Sequence, residues 1–96
     1  MDNKEVAGFD WDEGNIHHCQ KHGVELSEIE ELFLNHPQIY GDPYPDETRL
    51  RAIGRNNTGR YMYVVFMFRE RHDEVYIRPI SARFMHQKEI DRYEKR

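Results

Sequence analysis

The sequence predicts a small α+β domain, because its two halves carry different patterns. The first half has two capping-box signatures with apolar residues at helical spacing, and the second has three runs of β-branched and aromatic residues. A chain of 96 residues suffices for one such domain and is too short for two. We therefore expect one domain over residues 1–96, in which a small antiparallel sheet packs with two N-terminal helices and one C-terminal helix.

The N-terminal segment predicts a strand followed by a helix. Val6 to Trp11 alternates loosely between apolar and polar residues and favours a short strand. Asp10 and Glu13 fit a capping box, so a helix should begin near residue 12. It should end at Gly23, because glycine suits the left-handed conformation that often follows a helix.

A second helix is predicted by residues 27–30, whose Ser-Glu-Ile-Glu sequence is a clearer capping box. Ile29, Leu32 and Phe33 follow at the spacing of one apolar helical face. This helix should end by Asn35, because the proline two residues later disfavours helical geometry in the residue before it.

The second half of the chain predicts an antiparallel meander. Its three strands should run over residues 48–53, 61–68 and 74–80, with turns at 56–59 and 70–73. The middle run is apolar on both faces, as expected of a central strand.

Three shorter elements complete the prediction. Residues 38–40 favour a brief strand, and Gly41 to Asp46 is a loop by composition. Residues 85–93 are polar except for Ile90 and Tyr93, which lie three apart, so we expect a helix docked by one narrow face.

Charge divides the chain into two parts. Residues 1–48 hold two basic and twelve acidic residues, whereas residues 49–96 hold twelve basic and six acidic residues. The basic half could contact phosphates or an acidic partner, while the acidic half would repel a polyanion. The alternative is that the two halves attract each other within one fold.

Several features favour a cytosolic protein. Residues 1–8 carry acids and lack the apolar centre of a signal peptide, and no stretch is long and apolar enough to span a membrane. The single cysteine, Cys19, cannot form an internal disulfide and is expected in the core.

The segment His-His-Cys-Gln-Lys-His-Gly at residues 17–23 raises the question of a metal site. His18 and His22 lie four apart and could share a helix face, but the glutamate of the zinc protease motif is missing. No second pair of ligands completes a tetrahedral site, so the sequence predicts no metal and no cofactor.

Four motifs occur in order along the chain: Phe9-Asp10-Trp11-Asp12-Glu13, Lys21-His22-Gly23-Val24, Arg49 with Ile53-Gly54-Arg55, and Ile80-Ser81-Ala82-Arg83. Together they resemble the BrnT family of bacterial toxins, over nearly the whole chain. The chain departs from the pattern in being acidic overall, since RNA-cleaving toxins of this fold are commonly basic. The turn at residues 70–73 also looks longer than usual, which would shift the register of the last strand.

The resemblance implies a RelE-like fold and a ribonuclease that arrests translation. It also implies neutralisation by a BrnA-like antitoxin with a ribbon-helix-helix part, through which the pair would bind its operator DNA. The expected catalytic residues are Lys21, His22, Arg49, Arg83, Glu89 and Tyr93. The expected substrate-binding residues are Arg51, Arg55 and Ser81.

Metal-free RNA cleavage needs a base for the ribose 2′-hydroxyl, cations for the phosphorane and an acid for the leaving oxygen. Histidine titrates near neutral pH, so His22 could be the base or the acid. Arg49, Arg55 and Arg83 could hold phosphate oxygens with planar donors, and Lys21 could add a point charge. Helix phase predicts that His18 packs or hydrogen-bonds beneath this pair and that His17 faces solvent.

Each assignment has a structural alternative. His22 could interact with the last carbonyls of its helix. Arg83 could anchor the final helix to acids of the first half, Arg49 and Arg55 could be solvated strand residues, and Tyr93 could be an aromatic at the edge of the core.

Two functions therefore compete. The first is a ribonuclease toxin, and the second is a non-catalytic module that keeps the antitoxin interface and uses its arginines for affinity rather than for rate. A ribbon-helix-helix protein in the neighbouring reading frame would fit both, so only an activity assay separates them.

Overall fold

The computed structural model describes residues 5–42 and 48–96. Within these residues it contains five strands and three helices. In chain order they are β1 (Val6–Phe9), α1 (Glu13–Gln20), α2 (Leu26–Leu34), β2 (Gln38–Gly41), β3 (Leu50–Arg55), β4 (Tyr61–Arg71), β5 (Glu74–Phe84) and α3 (Gln87–Glu94). The α+β class is confirmed, and most of the predicted loop at 41–46 lies outside the described residues.

The five strands of the described residues form one sheet in the order β1-β5-β4-β3-β2. The predicted meander of β3, β4 and β5 is confirmed, and β2 adds to it antiparallel. The prediction of an antiparallel sheet was wrong at β1, which pairs with β5 in parallel. The sheet is therefore mixed.

The hairpin between β4 and β5 is tighter than expected. Only His72 and Asp73 form the turn, and both have positive φ (52° and 67°), as in the two-residue turns that match strand twist. The predicted long turn at 70–73 was therefore wrong. The register does shift once, but at Val65 and Phe66 in the middle of β4.

Both N-terminal helices are capped by other residues than the sequence indicated. Asp12, not Asp10, caps α1 and forms the capping box with Asn15. Glu25 and Glu28 cap α2, so this helix begins before the predicted Ser27 box. The carboxylates of Asp10 and Asp12, and the side-chain oxygens of Glu25 and Ser27, can all accept from the free amides of a first helical turn, so the sequence did not distinguish these candidates.

The helix ends agree better with the prediction. α1 ends at Gln20, three residues before the predicted Gly23, and Gly23 has the expected positive φ of 83°. α2 ends at Leu34, immediately before the predicted limit.

The core lies between α2 and one face of the sheet. Ile29 and Leu32 of α2 are fully buried, and Met62, Val64 and Phe66 of β4 present buried side chains at every second position. Cys19 is also fully buried in this cluster, as predicted, and burial raises the pKa of its thiol to about 11.

The opposite face of the sheet carries arginines, and we call it the arginine face. The pairing register places there Arg51 and Arg55 of β3, Arg69 and Arg71 of β4, and Arg78 and Arg83 of β5. α3 lies over part of this face, because Tyr93 contacts Tyr61 and Glu89 binds Arg83. Among the described residues, no helix is long and apolar enough to cross a membrane.

Candidate functional site

The arginine face contains a continuous groove along β5. One part is a cavity of about 440 Å³ lined by His22, Tyr63, Ser81 and Arg83, among others. An adjoining cavity of about 290 Å³ reaches Asn15, Met67 and Arg78. His18, Arg49 and Ile80 line both cavities, so we treat the two as one groove.

α1 forms one wall of this groove because Asn15 fixes it to β5. The buried amide nitrogen of Asn15 donates to the carbonyls of Asp10 and Pro79, both at 2.9 Å. His18 follows almost one turn later and His22 lies just beyond the helix end. The same local fold that caps α1 therefore brings both imidazoles to the groove.

A β-bulge in β5 forms the groove floor. Val65 pairs with Ser81 and Phe66 with Pro79, which leaves Ile80 as the extra residue. Ser81 and Arg83 then lie on the arginine face opposite Val65 and Tyr63. Ile80 is the extra residue between Pro79, whose side chain is buried, and Ser81, which lies on the arginine face. The bulge allows Ile80 to line the groove as well.

Arg83 is held by Glu89 of α3 through two hydrogen bonds, both of 2.8 Å. This pairing lowers the pKa of Glu89 to about 2 and raises the pKa of Arg83. The predicted alternative for Arg83 is thus partly right: it anchors the final helix, but through an acid of that helix rather than one of the first half. Its guanidinium also lies 4.7 Å from the centre of the Tyr63 ring.

The other end of the groove holds a second charge cluster. Arg78 lies 3.0 Å from Asp12 and 3.4 Å from Asp10. Arg69 and Arg71 approach the same buried Asp10 at 3.9 and 3.6 Å. Three arginines thus surround two carboxylates, and the hydrogen bond from Arg78 lowers the pKa of Asp12.

Arg51 lies beside the groove and is tied to its neighbours. It donates to the Tyr63 hydroxyl at 3.4 Å and to the Gly41 carbonyl at 3.2 Å, and it lies 4.0 Å from Asp42. The bond to Tyr63 raises the pKa of Arg51. Its position favours a role in holding Tyr63 in place.

Arg55 and Tyr93 lie in a different cavity, of about 540 Å³, at the other end of the arginine face. Arg55 donates to the Tyr61 hydroxyl at 2.9 Å and lies 3.6 Å from Glu94. The Tyr93 ring meets Tyr61 edge to face with centres 5.9 Å apart. We call this the second cavity.

The nine predicted site residues are therefore divided by the fold. His22, Arg49, Ser81 and Arg83 line the groove, with Glu89 bound to Arg83. Arg51 lies alongside, while Arg55 and Tyr93 line the second cavity. Lys21 is exposed at the end of α1 and is not among the residues that line the groove. The roles assigned to all nine stay predictions.

Among the groove residues that sequence reasoning missed, three bear directly on the chemistry of the site: His18, Tyr63 and Arg78. His18 was expected to pack or hydrogen-bond beneath its neighbours, but it is exposed and lines the groove, whereas His17 is exposed as predicted. The spacing of His18 and His22 was the signal for this. Tyr63 and Arg78 could be found only from the strand register, because alternation alone does not say which face is open.

Chemically, the groove combines groups that transfer protons with groups that bind anions. His18 and His22 can each accept or donate a proton, and Arg49, Arg78 and Arg83 present fixed positive charge. Within residues 5–42 and 48–96, no three His, Cys, Asp or Glu side chains are grouped as metal ligands. An anionic ester such as a phosphodiester suits these groups.

Comparison with known proteins agrees with this chemistry. A model of the ribonuclease toxin BrnT, of type II toxin-antitoxin systems, matches residues 11–89, which include every residue that lines the groove. A search of curated proteins finds no significant match. Since the family match covers most of the 96 residues, the chain belongs to the BrnT family of ribonuclease toxins of type II toxin-antitoxin systems.

Proposed function

We propose that the groove cleaves RNA without a metal ion, by attack of a ribose 2′-hydroxyl on the adjacent phosphate. The observation that carries this proposal is that His18, His22, Arg49 and Arg83 line one cavity. Family membership supports RNA as the substrate. The cations and proton-transfer groups that metal-free cleavage requires are thus supplied by one groove.

Arg83 and Arg49 stabilise the negative phosphorane in this proposal. Arg83 has five N–H donors, of which Glu89 engages two and the Phe84 carbonyl, at 3.5 Å, a third. Donors therefore remain for a phosphate oxygen. Because Glu89 fixes the guanidinium, Arg83 loses little freedom when the phosphate binds.

Proton transfer is assigned to the two imidazoles. One takes the proton of the 2′-hydroxyl as its oxygen bonds to phosphorus, and the other protonates the 5′-oxygen as the phosphorus–oxygen bond breaks. The products are a 2′,3′-cyclic phosphate and a 5′-hydroxyl. Glu89 is a positioning residue, since a carboxylate whose pKa is about 2 is a weak base at neutral pH.

At the level of the cell, we propose that cleavage in the cytoplasm arrests translation. The antitoxin partner would be a BrnA-like protein whose ribbon-helix-helix part binds operator DNA for the pair. We further propose that the mixed sheet with its three helices is a RelE-like fold. These points rest on family membership and on the motifs of the sequence.

Expression in bacteria tests the proposal. The wild-type chain should arrest growth, and coexpression of its antitoxin partner should restore growth. Arg83→Ala and Arg49→Ala should reduce the arrest, whereas the exposed controls Arg92→Ala and Lys95→Ala should leave it intact. Continued growth with folded wild-type protein present would contradict the proposal.

One observation favours the second candidate, a binding module without catalysis. Arg83, Arg78 and Arg55 are each paired with a carboxylate of the chain itself. An acidic segment of an antitoxin could replace those carboxylates and give affinity alone. Binding of the antitoxin by a folded protein that cleaves no RNA would support this candidate over the first.

A further inference from the structure

We propose that the second cavity binds a nucleobase of the RNA, at a nucleotide next to the cleaved phosphate. This inference rests on the proposed function, because it extends the same substrate along the arginine face. The cavity has a volume of about 540 Å³, which lies within the range typical of small-ligand sites.

The second cavity repeats an arrangement found at the groove. Arg83 lies over the Tyr63 ring at 4.7 Å, and Arg55 lies over the Tyr61 ring at 4.5 Å. Both tyrosines belong to β4 and are two residues apart on one face, so the two units are separated by about 7 Å. One nucleotide of an extended single strand can span such a step.

α3 places one carboxylate beside each of these two arginine–tyrosine pairs. Glu89 binds Arg83, while Glu94 accepts from the Tyr61 hydroxyl at 3.0 Å and lies 3.6 Å from Arg55. Five residues of helix rise by about 7.5 Å, which matches the separation of the two tyrosines. α3 thus provides one carboxylate to each arginine, and its Tyr93 lines the second cavity.

The charge of the second cavity favours a base over a second phosphate. Arg55, which lies 3.6 Å from Glu94, is the one arginine among the residues that line this cavity, and the further polar lining includes His36 and the amide side chains of Asn35, Gln38 and Asn57. Amide groups can both donate to and accept from the edge of a base. The groove is lined by three arginines, Arg49, Arg78 and Arg83, and so suits the anionic part of the strand better than a cavity lined by one.

Aromatic surface in the cavity would add stacking. Tyr61 and Tyr93 both line it, and bases stack on aromatic side chains in proteins that bind single strands. Stacking and edge contacts together define a nucleobase as the ligand.

The test uses short RNA oligonucleotides with one cleavage site. Each carries either a normal base or an abasic ribose on one side of the cleaved phosphate, so the 2′-hydroxyl is kept. With wild-type protein, removal of the base on one of the two sides should lower kcat/KM by roughly 5-fold to 100-fold, the usual worth of one stacked base.

In Tyr93→Ala, removal of the base should lower kcat/KM much less than it does in wild type, because this variant no longer offers the Tyr93 ring to the base. Gln38→Ala changes an exposed side chain of β2 and does not disturb α3. In this variant too, removal of the base should lower kcat/KM less than in wild type. The matched controls Tyr76→Ala and Gln87→Ala should retain the wild-type dependence on the base, since neither residue lines the second cavity.

The outcomes separate this inference from the proposed function. If both variants depend on the base as strongly as wild type, or if wild type is indifferent to base removal on both sides, the nucleobase site is refuted while ribonuclease activity stands. If folded wild-type protein cleaves no RNA at all, the proposed function fails and this inference fails with it.

Discussion

Glu89 holds Arg83 with both carboxylate oxygens, each 2.8 Å from a guanidinium nitrogen. Glu89 also accepts from the backbone amide of His86 at 2.8 Å, which makes it the N3 residue of the α3 capping box. One side chain therefore caps α3, fixes it to β5 and orients a groove arginine. The position of α3 and the geometry of the groove should change together.

Glu89→Gln should destabilise the protein at neutral pH and should destabilise it less at pH 3. The pKa of Glu89 is about 2 in the folded chain against an ordinary value of 4.5, so its stabilising effect is full above about pH 5 and is lost as the pH falls toward 2. Since about a third of the side chain is exposed (32%), we expect on the order of 1 kcal/mol rather than the value the full shift would give.

Urea unfolding of wild type and Glu89→Gln at pH 7 and at pH 3 measures this difference. Glu70→Gln, at an exposed position of β4, serves as the control for removal of one carboxylate. An equal difference between wild type and Glu89→Gln at both pH values would show that the ion pair with Arg83 does not contribute to stability.

His22→Ala should lower the rate of RNA cleavage by roughly 100-fold or more, as is usual when a group that transfers protons is removed. His17→Ala is the matched control, because His17 is exposed on α1 and does not line the groove. Initial rates on a labelled oligonucleotide would measure both. Similar rates for the two variants would exclude His22 from proton transfer.

Asn15→Ala should destabilise the fold by about 2 kcal/mol, since it leaves the carbonyls of Asp10 and Pro79 without their buried donor. It should also reduce cleavage, because α1 carries His18 to the groove. Urea denaturation provides the first measurement, and the cleavage rate under conditions where the variant is fully folded provides the second. Gln20→Ala, at an exposed position of the same helix, should change neither.

The sequence pattern alone predicted the elements that pack against elements close to them in the chain. The β3-β4-β5 meander and the apolar face of α2 are of this kind. The parallel partner of β1 was not predictable in this way, because β1 and β5 are far apart in the chain and β1 is only four residues long. Choosing that partner requires the tertiary fold.

The candidate site shows the same limit. The motifs identified His22, Arg49, Ser81 and Arg83, which the fold brings to one groove. They could not show that Arg55 and Tyr93 line another cavity, since that depends on the register of β3 against β4 and on where α3 docks. His18 was missed because its side chain was judged by helix phase alone, without knowledge that α1 runs along β5.

Cleavage of total bacterial RNA by the purified protein in the presence of EDTA tests the central claim most directly. Wild type and Arg92→Ala should both cleave, and Arg83→Ala, confirmed as folded by circular dichroism, should be slower by roughly 100-fold to 1000-fold, as expected when one donor to the transition state is lost. Cleavage by wild type that EDTA abolishes, or that Arg83→Ala retains in full, would contradict a metal-free ribonuclease centred on this groove.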